Sequence, residues 1–388
     1  MVRQLIMLAA VLGAGIVSAT PSLKIRNSFE KPIPVLSDAQ KAYFALPREV
    51  RVERMTNAVA RAEMKKLTTL PKGTWFKWRW KDDVKRAVQF RVRLTREADG
   101  SVFFEGLSPA ARPDRIYLEN LEIATTYRLT VTVVADGEEL ASDSKVFETE
   151  TIAPRFIRVD GVPSFRDLGG RVGLNGRRVR QGLLFRSTGF NENTVYPKDE
   201  EPRIGRDRIT DVGRLVVTNV LGIKTDLNIR NDKETHLMSA SPIGPNVTWL
   251  HLPAASYAGC FMDKFRERFP KIFKALCERD RYPVVFHCIA GADRTGTIAF
   301  ILNGLLGVEE DLLWQDWEIN AFFDGNLDFK HCDRIAEVSR LLQTFPGTTL
   351  AEKCESFVKS RGITADEIER FRAIMLITER ENLIKSNK

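Results

Sequence analysis

"PVVFHCIAGADRTGTIAFILNGLLG", Pro283 to Gly307, is the stretch from which the rest of this chain can be read. Its start, "PVVFH", is short, apolar and β-branched, follows the charged run "CERDRY", and predicts a buried strand. Its end, "TGTIAFILNGLLG", stays apolar until Gly307 and predicts a buried helix with a glycine stop. What lies between is a strand-to-helix turn. Such a turn aims unpaired N–H groups and the positive end of the helix dipole at one point, and that point favours an anion.

Two residues make this anion site reactive. Cys288 faces N–H donors, a helix N-terminus and a guanidinium, so it is expected to ionise near neutral pH and act as a nucleophile. Arg294 offers a planar fork of donors suited to two oxygens of a phosphate, in the ground state and as charge develops during phosphoryl transfer. The candidate phosphate cradle is the backbone of Ile289, Ala290, Gly291 and Ala292 together with Arg294. Gly291 suits a sharp turn or a positive φ, and the two alanines keep the wall free of bulk. Thr295 is expected to place a hydroxyl beside the thiolate and to stabilise it as it leaves a phosphocysteine. His287 is a candidate for orienting or polarising the thiol from the strand side.

"HCIAGADRTG" resembles the signature of the cysteine-based protein tyrosine phosphatases, and within them the bacterial tyrosine/serine phosphatase branch, whose loop carries Asp-Arg-Thr-Gly. Other segments are similar to that branch's landmarks in the same order. They are "FRDLGG" at Phe165 to Gly170, "GLLFRS" at Gly182 to Ser187, "DLNIR" followed by Glu234, and "WQDWEIN" at Trp314 to Asn320, which has tryptophan where the family has tyrosine. The resemblance covers residues 155 to 388. It implies an α/β domain with a central, mostly parallel sheet, a thiol-phosphate intermediate, and neither metal nor cofactor. Arg166 and Asp167, in a segment with the composition of a tight turn, are expected to brace the loop rather than touch substrate.

The chain has 388 residues, of which 43% are hydrophobic, and carries a formal net charge of +8. That supports one to three ordinary domains and argues against wholesale disorder. The basic residues are dispersed, which reads as a solvated basic surface, and no nucleic-acid partner is expected. At the N-terminus Arg3 precedes an apolar run from Leu5 to Val17 and the small triplet Val17-Ser18-Ala19. This is the pattern of a secretory signal peptide over residues 1–19, and it predicts an exported protein, periplasmic or secreted, without an integral membrane segment after cleavage. Cys260, Cys277, Cys332 and Cys354 accompany Cys288, and their pairing cannot be deduced from spacing. Burial is the expectation for Cys277, which sits at helical spacing from Phe273. The histidines at 236, 251, 287 and 331 have no ligand spacing, so no metal site is expected.

Between residues 71 and 152 the period changes to two. Phe76, Trp78 and Trp80, then Val88, Phe90, Val92 and Leu94, then Tyr127, Leu129, Val131 and Val133 alternate with Lys, Arg, Gln and Thr. Short strands with one buried face and turns such as "ADG" predict a β-sandwich. Tyr127, entering a strand shortly after Leu121, resembles the corner tyrosine of fibronectin type III domains. Ahead of it, residues 20–70 read as a tether and packing segment, with the Pro-rich "KPIPVLSDAQ" and a charged helical stretch. "ETETIAPRF" reads as the linker to the second domain.

These residues predict attack of Cys288 on a phosphomonoester, followed by hydrolysis of the phosphocysteine by water. Many cysteine phosphatases protonate the leaving group from an aspartate on a separate loop ahead of the cysteine. Here that neighbourhood, "HLPAASYAGC", has no acid, and resemblance to the bacterial branch points to Asp293 as the general acid, with Asp263 in reserve. The expected substrate is protein phosphotyrosine, with phosphoserine or phosphothreonine beside it, or a small phosphomonoester. Phosphoinositides and inositol phosphates are the alternative, although many relatives that cleave them place a lysine where this chain has Ala292. A reading from another class makes the chain an exported adhesion module whose sandwich binds a protein or a glycan. The intact Cys288, Asp293, Arg294 and Thr295 argue against it.

Overall fold

The structure, a computed structural model, describes residues 21–56, 67, 73–82, 87–192, 205–323 and 329–378. The expected leader at residues 1–19 lies outside the described residues. Among those described, no helix is long and apolar enough to cross a membrane.

Two antiparallel sheets build the first half. One has the order β1 (Ser22–Ile25), β2 (Thr74–Lys81), β5 (Arg115–Leu118); the other runs β4 (Val102–Leu107), β3 (Gln89–Arg96), β6 (Thr126–Ala135), β7 (Glu138–Glu148). The alternating apolar residues face inward from both sheets and meet in one core, where Phe76 packs on Phe147 at 5.2 Å and Trp78 on Phe90 at 5.7 Å between ring centroids. Tyr127 is buried in this core, and its hydroxyl accepts the Glu122 N–H at 3.0 Å, tying the entry of β6 to the chain five residues earlier. The expected start of the sandwich at residue 71 needs correction. Ser22–Ile25, assigned from composition to a tether, pairs antiparallel with β2, Ile25 opposite Trp78. Four residues are too short to display a period of two, and the partner strand is about fifty residues away in sequence.

Farther along the N-terminal segment, Phe29 and Ile33 join the sandwich core, and the two helices that follow pack against the second half. Helix α1 (Asp38–Phe44) opens on a capping box in which Ser37 Oγ accepts the Gln40 N–H and the Gln40 side chain accepts the Ser37 N–H. It buries Tyr43 and Phe44 in the C-terminal core. Arg51 of α2 (Arg48–Thr56) and the Tyr43 hydroxyl both donate to Glu318, at 2.8 and 3.1 Å, so these helices strap a helix of the second domain.

The second half is an α/β unit. Its sheet has the order β12 (Thr248–His251), β11 (Thr225–Asn228), β13 (Val284–His287), β10 (Leu184–Ser187), β9 (Arg166–Asp167), β8 (Arg155–Phe156). The first four strands are mutually parallel, β9 runs antiparallel to β10, and β8 runs antiparallel to β9. After α3 (Asp211–Leu215), α4 (Asp232–Thr235) and α5 (Arg268–Leu276) comes α6 (Asp293–Leu305), and then α7 (Glu310–Phe323), α8 (Phe329–Gln343), α9 (Leu350–Ser360) and α10 (Ala365–Met375). Helix α6 is buried from Thr295 through Leu305, which explains its apolar character on all sides. The parallel register sets Ser187 and Asn228 on either side of His287 at the carboxyl ends of their strands. Ligand sites of open α/β sheets lie beyond that edge.

The two halves meet along a polar seam. Gln181 exchanges two bonds with the backbone of Ile123, and Arg155 donates to the carbonyls of Asn120 and Leu121 while pairing with Asp167 at 2.8 Å.

Candidate active site

The turn from β13 into α6 closes around Cys288, which is buried on its floor. Gly291 takes φ +70°, and a Cβ there would stand 2.4 Å from the Ser187 carbonyl oxygen, so the apex requires glycine twice over. Gly189 donates to the Ile289 carbonyl at 2.8 Å and Arg186 to the Gly291 carbonyl at 2.5 Å, so the carbonyls of the loop are turned outward onto β10 and its continuation. Among the described residues, no acceptor takes the N–H groups of Ile289, Ala290, Gly291 or Ala292. A concave run of unpaired amides at a helix start is an anion cradle.

Arg294 is held over this cradle by Glu234, whose carboxylate accepts from both terminal nitrogens, at 2.5 and 3.1 Å. The Nε edge makes no bond among the described residues, which leaves one face of the fork for a phosphate. Glu234 is fixed in turn by the N-terminus of α4, accepting the Asn231 N–H at 2.6 Å. Burial works to raise the Glu234 carboxyl, but Arg294 and that N–H outweigh it and hold it below the usual carboxylate range.

Asp293 accepts from the Tyr257 hydroxyl at 2.6 Å on Oδ1. Tyr257 comes from the acid-free segment ahead of the cysteine and sits at φ +52°, its N–H bonded to Thr297 Oγ1 at 2.8 Å. The reserve acid Asp263 is elsewhere: its side chain is 95% exposed and lies 3.8 Å from Arg361. The Thr295 hydroxyl is buried and has no hydrogen-bond partner among the described residues. A buried orphan hydroxyl at a helix start is still a donor awaiting an acceptor.

Behind the loop, His287, Arg166 and Asp167 stand among charged groups to which the sequence assigned no role, Asp226, Arg171, Arg186, Arg230 and Asp316. His287 is fully buried, with Nδ1 2.9 Å from the Cys288 carbonyl oxygen and Nε2 2.9 Å from Asp226. It therefore acts on the loop backbone rather than on the sulfur. Arg166 donates to Asp316 at 3.1 Å and to Asn320 and Ser164, while Arg171 reaches the same carboxylate at 3.0 Å and Arg186 completes the set. Burial works to raise Asp316, but Arg186, Arg166 and Arg171 outweigh it and hold it well below the usual range. Asp167 ties Gly169, Gly182 and Arg155 together, so both residues of "FRDLGG" brace the wall. Arg230, just past the end of β11, is fully buried and donates to Asn191, Asn228, Met238 and the Glu192 carbonyl, with no carboxylate among its hydrogen-bond partners in the described residues.

The other cysteines are of a different kind. None of the five is disulfide-bonded, and burial pushes Cys260, Cys277 and Cys354 up to about 12, which makes them inert fillers at working pH.

Residues 204–377 match the model of the tyrosine phosphatase family. A Cupriavidus necator protein, named as a putative tyrosine-protein phosphatase, is 29% identical over 166 residues, a match that takes in 39% of this chain and 58% of that relative. The chain thus spans less than two thirds of the relative's length. Among solved structures, the core catalytic domain of the PP-IP phosphatase Siw14 from S. cerevisiae, in complex with citrate, is 12% identical with a TM-score of 0.24, over 42% of this chain and 92% of that one. A second structure of the Siw14 catalytic core is 12% identical with a TM-score of 0.27, over 50% and 95%. The family match and the bacterial relative support the tyrosine phosphatase family for the C-terminal part of the chain.

Proposed function

We propose that the C-terminal domain hydrolyses phosphomonoesters through a phosphocysteine, with protein phosphotyrosine as the leading substrate. The Cys288 sulfur forms a bond to phosphorus as the ester P–O bond breaks, and a proton passes from the Asp293 carboxyl to the leaving oxygen. Water then attacks phosphorus, gives a proton to Asp293, and the S–P bond breaks to return the thiolate, with the Thr295 hydroxyl donating to it. The loop amides and Arg294 carry the equatorial oxygens through both steps. The observation that carries this reading is the set of unpaired N–H groups from Ile289 to Ala292 facing an arginine that Glu234 holds in place.

The leader pattern supports export to the periplasm or beyond, which fractionation of the tagged chain tests. The sheet orders and the Tyr127 bond support a fibronectin type III-like reading of the sandwich. The functional test is turnover of phosphotyrosine peptides, phosphoserine peptides and inositol phosphates by the protein under reducing conditions. The reading expects phosphotyrosine to be preferred. Preference for inositol phosphates reassigns the substrate, and failure on all three removes the activity.

A further inference from the structure

The outer face of the three-stranded sheet carries a group of cations, five of which have no ion pair among the described residues. Along β2, Trp75, Lys77, Arg79 and Lys81 point outward and are exposed, alternating with the buried Phe76 and Trp78. Strand β1 adds Lys24 opposite Arg79, and Arg26 continues the ladder through its N–H to the Lys77 carbonyl at 2.8 Å. Strand β5 adds Arg115 opposite Lys77, and Tyr117 opposite Trp75. At the margin Asp114 is held by Arg115 at 2.8 Å and Glu119 by Arg158 at 2.9 Å. Lys24, Arg26, Lys77, Arg79 and Lys81 have no ion pair among the described residues.

The opposite face of the same sandwich shows what an ordinary solvated surface looks like here. On the four-stranded sheet Arg91 pairs with Glu139 at 3.0 Å, Arg93 with Glu105 at 3.6 Å, and Arg128 with Glu97 at 2.8 Å. Charges of both signs are interspersed there, whereas on the three-stranded face the acids Asp114 and Glu119 stand at the margin of the cations. The cations repeat at about 7 Å along β2 and about 5 Å between strands, which makes a two-dimensional array rather than a line. Trp75 and Tyr117 stand beside it, 40% and 38% exposed with ring centroids 5.0 Å apart. Rings with one apolar and one polar end settle at membrane–water boundaries, and clusters of Lys and Arg are drawn to anionic lipid.

We infer that this face docks the protein peripherally on an anionic phospholipid surface, with Lys24, Arg26, Lys77, Arg79, Lys81 and Arg115 over the headgroups and Trp75 and Tyr117 inserted at the boundary. The inference is independent of the role of Cys288. It would hold the phosphatase-like domain beside a membrane without any spanning segment.

The test is co-sedimentation of the chain from Thr20 to Lys388, freed of the apolar leader that would bind lipid by itself. Vesicles of equimolar phosphatidylcholine and phosphatidylglycerol are compared with phosphatidylcholine alone. Binding is expected only to the anionic vesicles and should fade as salt is raised. K77E/R79E should weaken it on the order of 10- to 100-fold, W75A should weaken it less, and R91E/R93E, with the same change in net charge, should leave it intact. Should K77E/R79E not fold, K77Q/R79Q is expected to show a smaller loss in the same direction. Aryl phosphate turnover should be unchanged by all of these. The inference is overturned by absence of binding in the unmutated chain, by equal losses from the two charge reversals, or by binding to heparin or single-stranded DNA with the vesicles ignored.

Discussion

The Tyr257 hydroxyl donates to Asp293 Oδ1 across 2.6 Å, joining the segment that lacks an acid to the acid inside the anion loop. Burial, and then the charge of Asp293, push Tyr257 far above the ordinary tyrosine range, so the hydroxyl stays protonated and remains a donor. The positive φ of Tyr257, held by the bond to Thr297, is backbone strain of the sort found where a side chain must be aimed. Asp293→Asn is expected to slow alkyl phosphates by on the order of 10²–10⁴, as for a lost general acid, and to slow esters of very acidic phenols much less. Tyr257→Phe should show the same leaving-group dependence at smaller amplitude and should add nothing in an Asp293→Asn background. Values of kcat/KM across a leaving-group series decide it. Equal losses for all leaving groups would assign both residues to loop structure.

Cys288→Ser is expected to abolish turnover of an aryl phosphate while binding of a phosphate analogue survives, because the loop amides and Arg294 remain. Calorimetric titration with the analogue and a turnover assay check the two halves separately. Turnover above a trace removes Cys288 from its role. Mild peroxide should inactivate the enzyme reversibly by thiol reductant, with Cys260, Cys277 and Cys354 unmodified by mass spectrometry, since burial keeps those thiols protonated.

Glu234 fixes the direction of the Arg294 fork. Arg294→Lys should lose most activity, since an ammonium cannot offer two parallel donors. Glu234→Gln keeps the shape but surrenders the charge-assisted pair, so KM should rise and kcat fall together, with Arg294 less well aimed at phosphate. Unchanged kinetics in Glu234→Gln would mean that the pair is incidental.

Asp316 neutralises part of a buried trio of guanidiniums, and Asp316→Asn should destabilise the domain by about 3–5 kcal/mol, the cost of leaving buried charge uncompensated. Urea unfolding measures it. Asp316 and Glu234 both have folded values below their unfolded ones. Their contribution to stability is therefore complete above the unfolded carboxylate values of about 4 and is lost as pH falls through the depressed folded values. Unfolding followed from neutral pH downward should show stability falling in that acid window, and less steeply in Asp316→Asn.

The string from His287 to Gly296 was legible because all of its chemistry is local. A strand, a glycine that tolerates positive φ and a helix start are written in adjacent residues, and their amides converge wherever the rest of the chain goes. The alternating aromatics were legible for the same reason, since a strand's period declares its buried face. What aims the site was decided only by the tertiary fold. Glu234 reaches Arg294 across 60 residues, Tyr257 reaches Asp293 across 36, and Arg186 reaches the Gly291 carbonyl across 105. Asp316 gathers three arginines from a helix that follows the loop. None of these pairings leaves a trace in spacing, because the register of a parallel sheet, and not the distance along the chain, sets which strand ends lie side by side. Thus the sequence alone determined the strand-to-helix turn, with Cys288 and Arg294 within it, and the sheet and its packed helices decided which side chains hold that turn still.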